Sequence, residues 1–171
     1  MQSGKTLSQT RFEQLVLQHG RQVLNTATRI LGDVNLANDV HQEVFLAIWR
    51  RWESYNGHEN WPAYLYRSTV RKALQVARDR HGVRDLPTES EPTTEREQPS
   101  DAIAADELRQ QLAAALAKLP ERQADVFVLS RLEGLSTSEV ATLLGCSEPT
   151  VRVHLHRAIR RLSRQLRSYL G

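Results

Sequence analysis

Residues 82–100, GVRDLPTESEPTTEREQPS, interrupt an otherwise helical pattern, and that break decides which architectures are open to the chain. They hold three of the six prolines (Pro87, Pro92 and Pro99), no aromatic residue and only two large aliphatic ones. Asp85, Glu89, Glu91, Glu95 and Glu97 outnumber Arg84 and Arg96, for a local charge of −3. Such a stretch buries too little apolar surface to offset the entropy of ordering it, so it is expected to be a flexible linker. An ordered surface loop is the other reading, at an unusual length for one. On either side, apolar residues recur at three- and four-residue spacing, without sustained alternation of period two. The expectation is an all-α chain of two small helical domains, residues 1–81 and 101–171, joined by 82–100. Gly20, Gly32, Gly57, Gly82, Gly134 and Gly145 are expected at helix ends or turns.

The 171 residues carry a formal charge of only +3, too little on its own to imply nucleic acid. The charge is unevenly placed. Residues 1–81 have 11 basic and 7 acidic side chains, residues 101–147 have 4 and 7, and residues 148–171 have 6 basic against Glu148 alone. A strongly basic final helix on an acidic support attracts polyanions far better than the mean suggests. Other classes fall away. No run of eighteen apolar residues exists, so no membrane insertion is expected. The start, MQSGKTLSQTRFEQ, lacks the apolar core of a secretory signal. The single cysteine, Cys146, excludes a disulfide framework and a cysteine-built zinc site, and suits a reducing cytoplasm. His154 and His156 diverge by about 200° on a helix and cannot share a metal. No phosphate-binding glycine loop, HExxH or nucleophile–histidine pairing is recognisable. No catalytic residue, metal or cofactor is expected.

Leu36–Trp52, LANDVHQEVFLAIWRRW, reads as the strongest helical segment. Val40, Val44, Ala47 and Ile48 form an apolar stripe that Phe45, Trp49 and Trp52 widen, enough to pack on helices from Arg11–Leu31 and from Trp61 onward. Asp39, Gln42, Glu43, Leu46 and Arg50 share an exposed strip. A leucine among carboxylate, amide and guanidinium groups can form a docking patch with an apolar centre and a polar rim. Spacing alone fits a plain solvated face better. The polar loop Ser54–Asn60 leads into Trp61–Arg80, where Trp61, Tyr64 and Tyr66 lie among Arg67, Arg71, Lys72, Arg78 and Arg80. Rings that stack on unpaired bases, at about 1–3 kcal/mol each, beside cations that track phosphates, are the chemistry of single-stranded nucleic-acid binding. The plainer reading makes the rings core and the cations merely solubilising, and one or two of the three rings are expected in the core.

Ser100 is a candidate N-cap for a helix over Asp101–Ala117, and Pro120 opens a second expected to run to about Leu132. Ser136 and Glu139 form a capping-box pattern before a short helix, Thr137–Leu144. Gly145, Cys146 and Ser147 make a turn, and Ser147 caps a final helix, Glu148–Leu170. Short helix, glycine turn and longer basic helix make a DNA-binding helix-turn-helix, with a charged helix of a small bundle as the alternative. Val151, Leu155, Ala158 and Leu162 are expected inward with Ile159 beside them, leaving His154 and Arg164 for solvent or DNA. Only the first turns of such a helix reach base edges. That nominates Glu148, Thr150, Arg152, Val153 and His156 for readout, with Arg157, Arg160 and Arg161 nearer phosphates.

A single-strand-like surface and a helix-turn-helix in one chain suggest melted and duplex DNA recognised together. At these residues the chain resembles the bacterial sigma factors of the extracytoplasmic-function group in the sigma-70 family. Asp39-Val-His-Gln42-Glu43-Val-Phe45-Leu46 is similar to their region 2.2. Leu119-Pro120-Glu121-Arg122-Gln123, Gly134-Leu135-Ser136, Glu139-Val140-Ala141 and Leu144-Gly145-Cys146-Ser147 are similar to their region 4. Thr150-Val151 and His154-Leu155-His156-Arg157-Ala158 continue that match. The resemblance implies an alternative sigma factor directing promoter-specific initiation, with a region 2-like bundle and a region 4-like helix-turn-helix. It implies that Asp39, Gln42, Glu43, Leu46 and Arg50 dock on the β′ clamp helices of core RNA polymerase, with the β flap a further contact. The −10 element falls to Asn56, His58, Trp61, Tyr64, Arg67, Arg71 and Lys72. The −35 element falls to Ser147, Glu148, Thr150, Arg152, Val153, His156, Arg157, Arg160 and Arg161. The linker would thread the polymerase near its RNA path, and a membrane-anchored anti-sigma factor would hold the protein inactive. The chain departs from the family at two places. It reads Tyr64-Leu65-Tyr66-Arg67-Ser68-Thr69-Val70-Arg71 where Trp-Leu-Tyr-Arg-Ile-Ala-Arg-Asn is usual, and Pro149 stands where glycine commonly precedes Thr150. The rivals are a LuxR-like regulator acting apart from polymerase, whose helix-turn-helix shares the Thr-Val-Arg-x-His run, and a protein-binding adaptor.

Overall fold

A computed structural model of the chain describes residues 2–55, 57, 59–84 and 101–170, with side chains over 9–55, 57, 59–80 and 105–167. Asn56, His58, Ser100 and residues 85–99 of the expected linker lie outside the described residues. All regular structure among the described residues is helical. The order is α1 (Gln2–Leu31), α2 (Val34–Trp49), a single 3₁₀ turn (Trp52–Ser54), α3 (Trp61–Arg84), α4 (Asp101–Ala117), α5 (Glu121–Phe127), α6 (Thr137–Leu144) and α7 (Glu148–Leu170).

Helices α1, α2 and α3 pack on one another because each carries an apolar stripe at helical spacing. Leu15, Val23, Ala27 and Ile30 of α1 share a core with Val40, Val44, Phe45 and Ile48 of α2 and with Leu65, Val70, Ala73 and Leu74 of α3. The tight α1–α2 turn depends on Gly32, at φ +68°, and on Asp33, whose carboxylate accepts from the amides of Asn35 and Leu36 at 2.9 and 3.2 Å. Three expectations need correction. Gly20 does not end a helix: it is buried within α1, where an added Cβ would lie 3.1 Å from Nε2 of His41. Its missing side chain admits the His41 ring, and burial lowers the imidazole's pKa. Gly82 likewise lies within α3, which continues to Arg84. Ala47, expected in the apolar stripe, is exposed on the wall of a groove between α2 and α3.

In the C-terminal part, Pro120 is the N-cap of α5 rather than its first-turn residue. The helix then widens over Val128–Leu132 into a π-type turn, with the Glu133 amide donating to Val128 O at 3.0 Å. Helix α6 starts with both arms of its capping box formed. Ser136 Oγ accepts from the Glu139 amide at 3.2 Å, and the Glu139 carboxylate accepts from the Ser136 amide at 2.8 Å. Hydrogen bonds from Ser136 hold the Glu139 carboxyl below its usual range. Gly145, at φ +63°, ends α6 and turns the chain into α7. Val151, Ala158 and Leu162 of α7 are buried, but Leu155 is only half-buried and Ile159 is exposed. His154, expected outward, is half-buried with Nδ1 enclosed.

The two parts meet chiefly where α4 and α5 lie against α3, and where α4 also reaches α1. Arg109 of α4 crosses the α1–α2 turn so closely that a Cβ on Gly32 would lie 2.6 Å from its Cδ. Arg78 of α3 donates to Ala117 O, the C-terminal carbonyl of α4, at 2.8 Å. Among the described residues no helix is long and apolar enough to cross a membrane.

Replacing Ser136 with alanine removes the Oγ that accepts from the Glu139 amide, while the Ser136 amide can still donate to the Glu139 carboxylate, and is expected to cost about 1 kcal/mol of stability. Thermal unfolding followed by circular dichroism should show a lowered midpoint; an unchanged midpoint would mean that the Ser136 Oγ bond contributes nothing.

Candidate nucleic-acid and protein interfaces

Helix α2 separates its core from a wet face. Asp39, Gln42 and Glu43 are exposed, Leu46 is 45% exposed, and exposed Arg50 follows as the C-cap. One contributor was missed. Trp49, assigned inward by its apolar character, is 45% exposed and rests on Phe12 at a ring-centroid distance of 4.8 Å. Its signal in the sequence was the three-residue step from Leu46, which puts both on one side of the helix. The strip therefore has two apolar groups at its centre and charged groups around them, the composition of a protein-docking patch. Glu43 also forms an ion pair with Lys72 of α3, across the groove that Ala47 and Tyr64 line.

Helix α3 begins in an aromatic cluster. Trp61 stacks on Trp52 at 5.7 Å and meets Tyr55 edge-on at 5.0 Å, while the Tyr55 and Tyr64 hydroxyls lie 3.1 Å apart. Trp61 and Tyr64 are half-buried, whereas Tyr66 is a core ring at 5% exposure. Tyr55 and Trp52 extend the ring surface and lay outside the expected set. Burial pushes the Tyr55 hydroxyl up to about 12, with Tyr64 adding to the shift, so it stays a neutral hydrogen-bonding group. The cations nearby are engaged rather than waiting. Arg71 pairs with Glu121 of α5, Lys72 with Glu43, and Arg67 Nε donates to Ala63 O at 3.3 Å.

At the other end of the chain, Ser147 Oγ accepts from the Thr150 amide at 3.3 Å and sits 2.8 Å from the Thr150 hydroxyl, fixing the first turn of α7. Arg152 pairs with Glu148 at 2.7 Å, one turn apart. Val153 is 46% exposed, and His156, Arg157, Arg160 and Arg161 are exposed. Pro149 sits exposed in this turn without breaking the helix, as the first turn allows. The face combines a bidentate donor, a carboxylate acceptor and an apolar side chain at its start, with arginines further along.

Residues 15–82 match the family description Sigma-70 region 2, and residues 109–162 match Sigma-70, region 4. The ECF RNA polymerase sigma factor SigL of Mycobacterium tuberculosis is 34% identical over 150 residues, covering 85% of this chain and 82% of its own. The chain belongs to the sigma-70 family, in its extracytoplasmic-function group. Both regions in one chain favour a sigma factor over a LuxR-like regulator, which is similar only at the helix-turn-helix. Among solved structures, CnrH in complex with the cytosolic domain of CnrY is 29% identical, covers 94% of this chain and 90% of its own, and superposes with a TM-score of 0.51. The sigma factor RpoE of Bartonella quintana, in complex with the anti-sigma factor NepR, shares the fold at 22% identity, covering 92% and 97%, with a TM-score of 0.50.

In this sigma factor one buried carboxyl sits at the junction of α3 and α5. Asp125 is 2% exposed, and burial pushes its carboxyl up to about 6, against the opposing pull of Arg71, Arg122 and Arg67. Between pH 3.8 and about 6 the folded sigma factor thus holds a proton there that the unfolded chain gives up. The stability contributed by this group falls as pH rises through that window. Between about pH 7.5 and 5, wild type should gain about 1 kcal/mol relative to Asp125→Asn. Urea unfolding at the two pH values reads the difference, and parallel profiles would show that Asp125 is not desolvated.

Proposed function

We propose that this sigma factor is a promoter-specificity subunit that joins core RNA polymerase through α2 and reads promoter DNA through α3 and α7. The supporting observation is the pairing, in one chain, of an apolar-centred strip on α2 with an exposed arginine-rich face on α7. In this reading Asp39, Gln42, Glu43, Leu46 and Arg50, now with Trp49, contact the β′ clamp helices, and the C-terminal part contacts the β flap. Residues 1–81 and 101–171 act as the two working domains. Trp61, Tyr64, Arg67, Arg71 and Lys72, with Asn56 and His58 in the preceding loop, hold the melted −10 strand. Ser147, Glu148, Thr150, Arg152, Val153 and His156 face −35 base edges, and Arg157, Arg160 and Arg161 take adjacent phosphates. The chain supplies recognition, and bond-making belongs to the polymerase. An anti-sigma factor is the expected inhibitor, a partnership that the Bartonella quintana structure displays for its own sigma factor.

Reconstitution tests the whole reading: purified chain plus core polymerase should initiate from a cognate promoter. Glu43→Arg would also repel Lys72, so Leu46→Glu is the cleaner change on the docking strip. It is expected to abolish co-elution with core polymerase while leaving the helical circular dichroism intact. Retained co-elution would remove this face as the docking site. For Arg152→Ala, loss of a bidentate guanine contact should cost about 1–3 kcal/mol of discrimination at one −35 base pair, read by competition among duplex variants. A uniform loss on all duplexes would mark Arg152 as a phosphate contact instead.

A further inference from the structure

Two rows of side chains run side by side over the first turns of α7. Glu148 and Arg152 form one, a turn apart and ion-paired at 2.7 Å. Pro149 and Val153 form the other at the same spacing, and both are exposed, Val153 at 46%. The polar groups around them bond within the chain: Ser147 Oγ lies 2.8 Å from the Thr150 hydroxyl, and Glu148 holds Arg152. The apolar row stays open to water. A single exposed valine is ordinary on a helix surface. A valine preceded one turn earlier by an exposed proline, on a face that continues into His156, Arg157, Arg160 and Arg161, is a built feature. Whatever covers it must be apolar where it meets Val153 and anionic around it. Duplex DNA offers both. Its phosphates suit the arginines, and among the donors and acceptors of the major groove the thymine C5-methyl is the apolar group.

We infer that Pro149 and Val153 read a thymine by its C5-methyl, next to the base met by Arg152, so that the −35 element carries a T·A pair at that step. The inference rests on the −35 reading of α7 given above and adds the identity of one base. Both side chains are stiff. Valine in a helix is held almost wholly in one χ1 rotamer, and the proline ring is closed on its own backbone, so ordering them against DNA costs little entropy. The same row selects against other pairs. Set over a G·C pair, it would cover the guanine O6 or the cytosine amine without offering a hydrogen bond, leaving that group unsatisfied. Attraction at thymine and penalty at G·C therefore act in one direction. Arg152 fixes the place: its row lies directly beside that of Val153, so the thymine neighbours the guanine that Arg152 meets.

The test uses holoenzyme, assembled from core polymerase and the full chain, and a duplex that this holoenzyme selects from a library randomised over the −10 and −35 regions. Each thymine of the selected −35 element, on either strand, is replaced in turn by deoxyuridine, which removes the methyl and leaves the pairing edge intact. One replacement is expected to weaken binding by wild-type holoenzyme about fourfold, the effect of exposing one buried methyl. The same replacement should leave binding by Val153→Ser holoenzyme unchanged, since that variant has no methyl to lose contact with. Val153 is exposed, so the variant should keep wild-type helicity by circular dichroism. Arg152→Ala, tested on the same duplexes, supplies the reference for the −35 reading. If Arg152→Ala relaxes selection at a −35 guanine, yet no thymine separates wild type from Val153→Ser, the inference is overturned and the −35 reading stands. If the holoenzyme selects no sequence in the −35 region, the reading of α7 falls and takes the inference with it.

Discussion

The cations of α3 set the terms for the rest of the molecule. A helix with one apolar face and several guanidinium groups must bury the first and find acceptors or water for the second. Here α1, α2 and α4 cover the apolar side, while acceptors come from Asp33, Glu43, Ala117 and Glu121. The helix that carries the candidate strand-binding groups is therefore also the helix on which both parts of the chain lean. Burying Asp125 beside it carries a desolvation cost, which the neighbouring arginines offset only in part.

How much could be read from the amino acids alone depended on the range of the forces involved. The bounds of α4, α6 and α7 follow from local chemistry, and the structure places them where the residues predicted. Ser136 with Glu139 starts α6, Gly145 at positive φ ends it, and Ser147 caps α7. The exposed strip on α2 was likewise readable, because helical periodicity alone decides which side chains share a face. Gly20 was misplaced because glycine usually punctuates, and the reason it does not here is the ring of His41 from another helix. Trp49 and Ala47 were misassigned for a related reason. Apolar character does not say how wide a stripe the neighbouring helices will cover.

The long-range pairs were invisible in a deeper sense. Nothing near Arg71 in sequence announces Glu121, and nothing near Arg29 announces Glu133; both pairs exist only because α4 and α5 settle on α3 and α1. The same holds for Asp125, an ordinary acidic residue in sequence that becomes a buried carboxyl only in the assembled fold. A charge count by segment located the basic final helix correctly, yet it could not show that the basic groups of α3 are already taken.

The pair between Glu43 and Lys72 joins two surfaces assigned to two different macromolecules, one to polymerase and one to DNA. A partner that takes Glu43 leaves Lys72 without its counter-ion, and a phosphate that takes Lys72 frees the carboxylate. Thermodynamic linkage makes that exchange symmetric: whatever the first ligand gives the second, the second returns to the first by the same factor. With Glu43 on polymerase and Lys72 on DNA, as proposed above, this single ion pair would favour the complete ternary assembly over either binary one.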